Sequence, residues 1–515
     1  MIPANWISSQ ARHGAHRRCF VDQAGRVHTF GEINARVNRL ARSLAAHGIR
    51  RHDRIGIFAT DSVDFMVVIM ASQKLGSTYV PFNYRMADGE LAVVAGRADL
   101  DAYFTIERYA ATVDVVRNAC PQLRLVAAFD GFGGLPSVDD LIAPFGDASD
   151  PEVPTEPEDI VGLMFTSGTT GHPKGVMQSM RMMSAGTANA LIDFGFGRDE
   201  FRYSASPMFH AAGMGCVMYG VARGFCSLIL EQYDPNRLLH WMQNGLTGVL
   251  MMPTMLSSLL QLEGVRDHDY PDLISIAYGG SPITPTLLRE ALEVFDCKFY
   301  NTFGAGTEAQ GQAMFYPDDH VRALAGEEHL LGSIGHPAYG VELRLVDENM
   351  NDVEHGEIGE ICTRSDCVMS GYLDDPERTA RAVVDGWFRA GDMAYRDAEG
   401  YLFLASRKAD MIIRGGENVY PVEIESVLAE DPNVLTVAVV GLPDDHWGEV
   451  VVAAVELIPG ATLDEESLRR RCRERLAAYK VPIRIHAFES LPKSMTGKVQ
   501  KHLVVDLIAR LERDG

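Results

Sequence analysis

The first half of the chain alternates helical stripes of apolar residues with short apolar runs. Between Phe30 and Arg50, apolar side chains recur every three or four residues, a spacing typical of an amphipathic helix. A strand-like run then occupies 54–59, and 64–74 returns to the helical spacing. Strand-like runs follow at 125–129, 160–165, 249–252 and 274–278. Strands that alternate with helices predict an α/β fold built mainly on parallel sheets.

The pattern changes after about residue 330, where the strand-like segments become shorter. Segments 342–346 and 359–363, with turn signals at Asp385-Gly386, indicate a small β-rich subdomain. Further strand-like runs and helical stripes fill the last hundred residues and predict a compact α+β unit. Its predicted strands are 437–440 and 450–455, and its predicted helices are 422–430 and 465–477.

The polar stretch 406–410 separates these two parts of the chain. We therefore predict a large N-terminal domain over 1–406, with parallel α/β sheets and the β-rich subdomain. A small mobile α+β domain is predicted over 407–515. A length of 515 residues is too great for one core, which agrees with a division into domains.

Charge and composition exclude several classes of protein. The net charge of −23 argues against nucleic acid or an anionic membrane as the main partner. No segment reaches 18 uninterrupted apolar residues, and the first twenty residues lack the apolar region of a signal peptide, so we expect no membrane span and a cytoplasmic protein. The eight cysteines form no CxxC pair and no cluster with histidine, so neither a zinc site nor a disulfide framework is indicated.

The stretch TSGTTGHPKGV, from Thr166 to Val176, carries the first sign of chemistry. A flexible linker is rich in the same residues, but this one follows the apolar run 160–165 and ends in Pro-Lys-Gly. An apolar run entering such a loop is typical of a buried strand that delivers backbone N–H groups and hydroxyls to an anion. The loop does not have the spacing GxxxxGK[ST], so it is not a P-loop of the NTPase type.

This stretch resembles the signature of the adenylate-forming (AMP-binding) superfamily, which includes acyl- and aryl-CoA synthetases, peptide-synthetase adenylation domains and firefly luciferase. Other motifs follow in the family's order across nearly the whole chain. They are PMFH at 207–210, YGGSP at 278–282, NTFGAGTE at 301–308, DGWFRAGDMAYRDAEGYLF at 385–403, SRKADMIIRGGENVYPVEIE at 406–425 and LPKSMTGK at 491–498. The resemblance implies an enzyme that joins a carboxylic acid to AMP and then transfers the acyl group to a thiol.

The resemblance implies a set of ATP-binding residues. The phosphate loop comprises Thr166, Ser167, Gly168, Thr169, Thr170, Gly171 and Lys174. Thr307 and Glu308 match a Thr-Glu pair whose glutamate holds Mg²⁺. Asp392 and Arg407 match the pair that meets the ribose. Asn301, Phe303, Gly279 and Gly280 match the residues that surround the adenine.

The resemblance also places catalytic residues and a moving part. Lys498 matches the lysine that contacts the carboxylate and the α-phosphate while negative charge builds there. His210 matches a residue beside the acyl site. The small domain is expected to rotate about Ala409, and Gly416 is then expected to make room for the pantetheine arm of coenzyme A.

Three positions depart from the family pattern. Two residues, Ala305 and Gly306, stand where the family usually has one, and we expect them to reshape the acyl pocket. Ala409 replaces an aspartate or lysine at the hinge. Arg364-Ser365-Asp366 replaces Arg-Gly-Pro, and the sequence offers no functional account of that change.

We therefore predict an ATP- and Mg²⁺-dependent ligase that joins a small-molecule carboxylic acid to coenzyme A. One alternative is an enzyme that loads the pantetheine of a carrier protein. Another is a relative that has lost adenylation and only thiolates acyl-AMP. The resemblance also leaves open a homodimer, and fatty, aryl and polycyclic acids all stay open as substrates.

Overall fold

The computed structural model describes residues 2–151, 153–166, 173–280, 283, 285–444, 446–493 and 499–514, without the side chains of 409 and 512–514. In this part of the chain the helices are α1 (Trp6–Gly14), α2 (Phe30–Ala46), α3 (Val63–Leu75), α4 (Asp88–Ala98), α5 (Thr112–Ala119), α6 (Val138–Ile142), α7 (Met180–Phe194), α8 (Ala211–Arg223), α9 (Pro235–Met242), α10 (Pro253–Leu260), α11 (Pro285–Val294), α12 (Pro317–Leu324), α13 (Pro376–Ala382), α14 (Pro421–Ala429), α15 (Glu465–Arg475) and α16 (Lys501–Asp514).

The strands of the N-terminal part are β1 (Arg18–Asp22), β2 (Val27–Thr29), β3 (Arg54–Phe58), β4 (Thr78–Pro81), β5 (Ala102–Thr105), β6 (Leu125–Ala128), β7 (Ile160–Thr166), β8 (Lys174–Ser179), β9 (Phe201–Ser204), β10 (Cys226–Ile229), β11 (Gly248–Met251), β12 (Ser275–Gly279), β13 (Lys298–Gly306), β14 (Gln310–Phe315), β15 (Ser333–Pro337), β16 (Glu342–Val346), β17 (Gly359–Arg364), β18 (Gly371–Tyr372), β19 (Val383–Val384), β20 (Trp387–Arg396) and β21 (Leu402–Arg407). The strands after residue 410 are β22 (Ile412–Arg414), β23 (Glu417–Val419), β24 (Val434–Asp444), β25 (Gly448–Leu457) and β26 (Arg484–Phe488).

One large mixed sheet runs in the order β16-β17-β20-β21-β15-β14-β13-β12-β11-β9-β10-β1-β2, with β19 paired to β20. Its centre, from β13 to β1, is parallel, as the alternating pattern predicts. From β13 to β16 all neighbours are antiparallel. The β-rich segment predicted after residue 330 therefore continues this sheet, because β15 pairs with both β14 and β21.

A second sheet has the order β18-β8-β7-β4-β3-β5-β6 and is parallel from β7 to β6. Successive side chains of a strand point to opposite faces, so each face has its own core. Ile55 and Ile57 of β3 pack in one core with α2 and α3. Phe58 packs in the other core, with α4 and α5.

The third sheet belongs to the C-terminal unit, with the order β23-β22-β25-β24 and β26 paired to β25. Val451 and Ala453 of β25 pack against α14 and α15 on one face. Val452 and Ala454 pack against Val504 of α16 on the other. The unit after residue 410 thus has its own core on both faces of its sheet, as the predicted α+β pattern requires.

Candidate active site

A cleft of about 2200 Å³ follows the carboxyl ends of β7, β9, β11 and β12 and reaches the C-terminal unit. Most of the residues predicted to bind ATP and the acid line it. They are Thr166, Lys174, His210, Gly279, Gly280, Asn301, Phe303, Thr307, Glu308, Asp392 and Arg407. Ligands of open α/β sheets bind at the carboxyl ends of strands, so this cleft is the candidate active site.

The other predicted residues fall into two groups. Ser167, Gly168, Thr169, Thr170, Gly171 and Lys498 lie outside the described residues. Gly416 lies in the exposed turn between β22 and β23 and does not line the cleft. Its φ of +87° is one that L side chains rarely adopt, so glycine suits this turn.

The ends of β7 and β8 hold the predicted phosphate loop between them. Thr166 and Lys174, which flank this loop in the sequence, are Cα partners in an antiparallel pair. Lys174 directs its ammonium toward the ring of Tyr372, with Nζ 5.6 Å from the ring centroid. Tyr372 lies on β18, which pairs with β8 at Val176. The lysine and the tyrosine are therefore held side by side at the edge of the second sheet.

Glu308 lies beside this pair. The Tyr372 hydroxyl donates a hydrogen bond to Glu308 Oε1 at 3.3 Å. The Met369 N–H donates to the backbone oxygen of Glu308 at 2.7 Å, which ties the glutamate to the segment that leads into β18. Burial raises the pKa of Glu308, while the nearby Lys174 charge and the tyrosine hydrogen bond oppose that rise. Burial lowers the pKa of Lys174, and the Glu308 charge opposes that change.

Both side chains are half-buried, and each charge opposes the effect of burial on the pKa of the other. The half-buried carboxylate of Glu308 is a suitable ligand for a hard divalent cation, which prefers carboxylate and phosphate oxygens. Among the described residues, no group of three or more acidic, histidine or cysteine side chains forms a cation site. Glu308 is therefore the residue of this corner that would hold a divalent cation.

Thr307 is held by its backbone. The Gln178 side chain of β8 donates from Nε2 to the Thr307 oxygen at 3.0 Å, and both residues are buried. This bond links the second sheet to the tip of the β13–β14 hairpin in the first sheet. The Thr-Glu pair is thus positioned by both sheets.

Asp392 and Arg407 face each other across the β20–β21 pair as Cα partners. Arg407 Nε lies 3.0 Å from Asp392 Oδ1. The aspartate side chain is 10% exposed and the arginine side chain 49% exposed, so the arginine is the more accessible of the two. A carboxylate fixed in this way is a short anionic acceptor for two neighbouring hydroxyl groups, as a ribose presents them.

The strands β12 and β13 bring the predicted adenine residues together. Tyr278 and Gly279 of β12 are Cα partners of Asn301 and Thr302 of β13. A Cβ on Gly279 would lie 2.3 Å from the Thr302 oxygen, so only glycine fits there. Phe303 is half-buried and packs against the core beneath the sheet while it lines the cleft.

His210 is the N-cap residue of α8, a role that the sequence analysis did not assign. Its Nδ1 accepts a hydrogen bond from the Ala212 N–H at 3.3 Å. Burial lowers the pKa of the imidazole, so the ring is neutral at pH 7. With Nδ1 as the acceptor, Nε2 carries the proton and His210 acts as a neutral donor.

The extra residue at Ala305-Gly306 is absorbed by irregular pairing between β13 and β14. The register shifts between Phe303 and Gly304 and again between Gly304 and Gly306. Gly306 and Gln310, which are paired at the end of the hairpin, both have a φ of +48°. Ala305, Gly306 and Gln310 line the cleft, so the departure from the family pattern lies where an effect on the acid is expected.

Arg364 and Asp366 both form ion pairs. Arg364 pairs with Glu342 at 2.6 Å, and its guanidinium lies 4.5 Å from the Trp387 ring centroid. Asp366 pairs with Arg181 of α7 at 3.0 Å. Residues 364–366 therefore have a structural role, because their ion pairs connect the end of β17 to β16 and to α7.

Two family models match this chain. The model described as AMP-binding enzyme matches residues 7–373, and the model described as AMP-binding enzyme C-terminal domain matches residues 423–498. The relatives include a feruloyl-CoA synthase of Amycolatopsis sp, 32% identical over 499 residues, which cover 96% of this chain and 97% of that protein. An indoleacetate–CoA ligase of Aromatoleum aromaticum is 31% identical over 484 residues, which cover 94% of this chain and 93% of that protein.

A solved structure of ATP-bound MatB from Rhodopseudomonas palustris is similar to the whole chain. The TM-score is 0.90 at 26% identity, and the match covers 98% of this chain and 99% of that one. In the part of this chain that the structure describes, no helix has the length and apolar character needed to cross a membrane.

Proposed function

Since this chain belongs to the AMP-binding enzyme family, we propose that it is an ATP-dependent ligase that converts a carboxylic acid to its coenzyme A thioester through an acyl-AMP. One observation carries the proposal: Lys174, Glu308, Asp392 and Arg407 line a single cleft although they lie far apart in the sequence. Together they offer charge for a phosphate chain, a cation ligand and an acceptor for ribose.

In the first half-reaction, a carboxylate oxygen of the acid forms a bond to the α-phosphorus of ATP. The bond from that phosphorus to the bridging oxygen breaks, and pyrophosphate leaves with the electron pair. We assign Thr166, Lys174 and the loop residues 167–171 to the β- and γ-phosphates. Lys498 neutralises the charge that builds between the carboxylate and the α-phosphate. The role of the protein in such a transfer is to position the reactants and to stabilise charge.

Glu308 is the residue that we propose for Mg²⁺, which supplies positive charge against the phosphate chain when bound. Thr307 fixes the position of Glu308 through its backbone bond to Gln178. Asp392 and Arg407 hold the ribose, and Asn301, Phe303, Gly279 and Gly280 surround the adenine.

In the second half-reaction, the thiol of coenzyme A attacks the acyl carbon, AMP leaves with the electrons of the broken C–O bond, and the thiol proton goes to solvent. We propose that the unit 407–515 rotates about Ala409 between the two steps, which removes Lys498 and brings Gly416 toward the thiol. A rigid small domain is well suited to such a movement. The separate core of this unit supports the proposal.

Coenzyme A is the acceptor that the relatives favour, since both relatives described above are named as CoA ligases or synthases. Their names also concern aromatic acids. A carrier-protein pantetheine carries the same thiol, so it is the alternative acceptor for this chain.

The test is a single reaction containing the protein, Mg·ATP, coenzyme A and a mixed library of acids, analysed by mass spectrometry. New acyl-CoA with an equal amount of AMP is the expected result. Acyl-AMP without acyl-CoA would overturn the choice of acceptor. An absence of ATP–pyrophosphate exchange with every acid would overturn the ligase itself, provided that ATP binding is retained.

A further inference from the structure

A buried hydrogen-bond chain lies beside the adenine end of the cleft. Its members are Tyr278 of β12 and His320 of α12, which are each 1% exposed and do not line the cleft. The Tyr278 hydroxyl oxygen lies 3.0 Å from His320 Nε2, and His320 Nδ1 lies 2.7 Å from the backbone oxygen of Tyr316. Any effect of this pair on the cleft must therefore pass through a residue that lines it.

The position of the His320 ring is fixed by aromatic neighbours. Phe315 meets this ring edge-on with centroids 4.6 Å apart, and the Phe299 centroid lies at 6.3 Å. Both phenylalanines pack with Tyr278 in one core cluster of the large sheet. Burial lowers the pKa of His320 to about 4, so the ring is neutral at pH 7. A neutral imidazole has one N–H donor and one acceptor nitrogen.

The backbone oxygen of Tyr316 decides which nitrogen of His320 carries the proton. A carbonyl oxygen can only accept, so Nδ1 is the donor in the 2.7 Å contact. Nε2 is then the acceptor, and the Tyr278 hydroxyl donates its single proton to it. The hydroxyl oxygen of Tyr278 is left with acceptor capacity alone, so any further partner of this oxygen must be a donor.

Asn301 is the further partner of this oxygen. Tyr278 and Asn301 are Cα partners on the parallel strands β12 and β13, so both side chains lie on the same face of the sheet. Burial raises the pKa of Tyr278, and a hydrogen bond from the Asn301 side chain opposes that rise. Because the oxygen can only accept, the Asn301 amide donates from Nδ2. Its Oδ1 is then available as an acceptor toward the cleft, which Asn301 lines.

An amide held in this orientation distinguishes between purine bases. Adenine carries an exocyclic amine, which donates, whereas guanine and hypoxanthine carry a carbonyl oxygen at the same ring position, which accepts. With Oδ1 directed toward the base, Asn301 bonds adenine but sets two acceptors against each other when the base is hypoxanthine. An amide that could rotate freely would serve either base.

On the basis of the proposed ligase function, in which Asn301 meets the adenine of ATP, we propose that Tyr278 and His320 are positioning residues for the selection of the base. The chain from the Tyr316 oxygen through His320 and Tyr278 holds the Asn301 amide in one of its two orientations. The order of donors and acceptors along this chain makes the cleft favour adenine over hypoxanthine.

The test measures the binding of ATP and of ITP, whose base is hypoxanthine, by calorimetry with Mg²⁺ and without an acid. Wild type is expected to bind ATP roughly 10- to 100-fold more tightly, because ITP replaces a hydrogen bond by two opposed acceptors. Tyr278→Phe releases the amide and is expected to bind the two nucleotides nearly equally. Tyr270→Phe is the matched control. It removes a phenol hydroxyl of the same core cluster that bonds the Val265 oxygen, and Tyr270 does not line the cleft.

His320→Phe separates a positioning role from a structural one. This variant keeps an aromatic ring between Phe299 and Phe315 but removes the acceptor of the Tyr278 proton. The hydroxyl is then expected to donate to Asn301 Oδ1, which turns Nδ2 toward the cleft and makes ITP the tighter ligand. A loss of packing alone would weaken the binding of both nucleotides equally, and that result would overturn the inference.

A second measurement uses the wild-type protein, so it holds whether or not the variants fold. In ¹⁵N NMR of the histidine-labelled protein, the His320 ring is expected to carry its proton on Nδ1. It is also expected to stay neutral at about pH 5.5, where a histidine of ordinary pKa is mostly protonated. A proton on Nε2 of His320 would overturn the inference.

Failure of the ligase reaction and failure of this inference are distinguishable, because binding is measured without chemistry. Selective binding of ATP without any ATP–pyrophosphate exchange would overturn the ligase and support the inference. Equal binding of ATP and ITP by wild type, or an unchanged preference in Tyr278→Phe, would overturn the inference even where exchange is intact.

Discussion

At the scale of single residues, Glu308 combines its proposed chemical role with a cost to stability. Burial raises the pKa of Glu308, so the ionised carboxylate is less stable in the folded protein than in the unfolded chain. The contribution of Glu308 to the free energy of unfolding is therefore most favourable at acidic pH. It is lost as the pH rises through the pKa that the group has in the folded protein. We expect Glu308→Gln to lower ATP–pyrophosphate exchange by roughly 10²- to 10³-fold.

The same variant is expected to keep or raise the melting temperature at pH 8, because it removes the buried charge. This increase in melting temperature should vanish at a pH below the ordinary pKa of glutamate, where the wild-type side chain is also uncharged. Exchange assays and thermal unfolding at the two pH values measure both effects. Full activity in Glu308→Gln would contradict the assignment, whereas a loss of activity together with a lower melting temperature would point to misfolding.

Asp392 offers a second test at this scale, because the substrate can be changed together with the protein. Asp392→Asn keeps the shape but removes the charge, and loss of a charge-assisted hydrogen bond predicts a KM for ATP raised roughly 10- to 100-fold. Wild type should discriminate against 2′-deoxy-ATP, and the variant should not. If both proteins discriminate equally, Asp392 does not hold the ribose.

At the scale of elements, the close approach of β12 and β13 shapes the adenine end of the cleft. Gly279→Ala places a Cβ against the Thr302 oxygen, and such overpacking costs about 1–3 kcal/mol. We expect a lower melting temperature and weaker ATP binding. Gly89→Ala is the matched control, since it lies in α4 with open space around its Cβ and is expected to be neutral or slightly stabilising. Equal behaviour of the two variants would contradict the steric account.

The elements themselves were largely predictable where a local pattern governs them. The helical stripe from Phe30 predicts α2, and a capping box of Thr29 and Glu32 starts that helix where the stripe begins. The predicted strand at 437–440 was too short, because β24 extends over Val434–Asp444. Its flanking residues are not uniformly apolar, but they pair with β25 along nearly their whole length. Strand length in this case depends on a partner strand rather than on local hydrophobicity.

At the scale of the whole molecule, the two half-reactions are expected to depend on different positions of the C-terminal unit. Lys498→Ala is expected to lower adenylation by roughly 10²- to 10³-fold. The variant should still transfer the acyl group from supplied acyl-AMP to coenzyme A at nearly the wild-type rate. Single-turnover assays of each step measure this division, with Lys480→Ala as a control, since this lysine pairs with Glu423 and does not line the cleft. Equal losses in both steps would contradict it.

The sequence by itself determined the family and the alternation of helices and strands, and it predicted the candidate site residues, because motifs and hydrophobic periods are local signals. Only the tertiary structure placed Tyr372 against Glu308, since 64 residues separate the two. It also merged the β-rich segment with the large sheet and brought the rings of Phe196, Tyr219 and Phe225 together. These arrangements depend on contacts between distant segments, whose strengths arise from burial and packing in the folded chain and leave no periodic trace in the sequence.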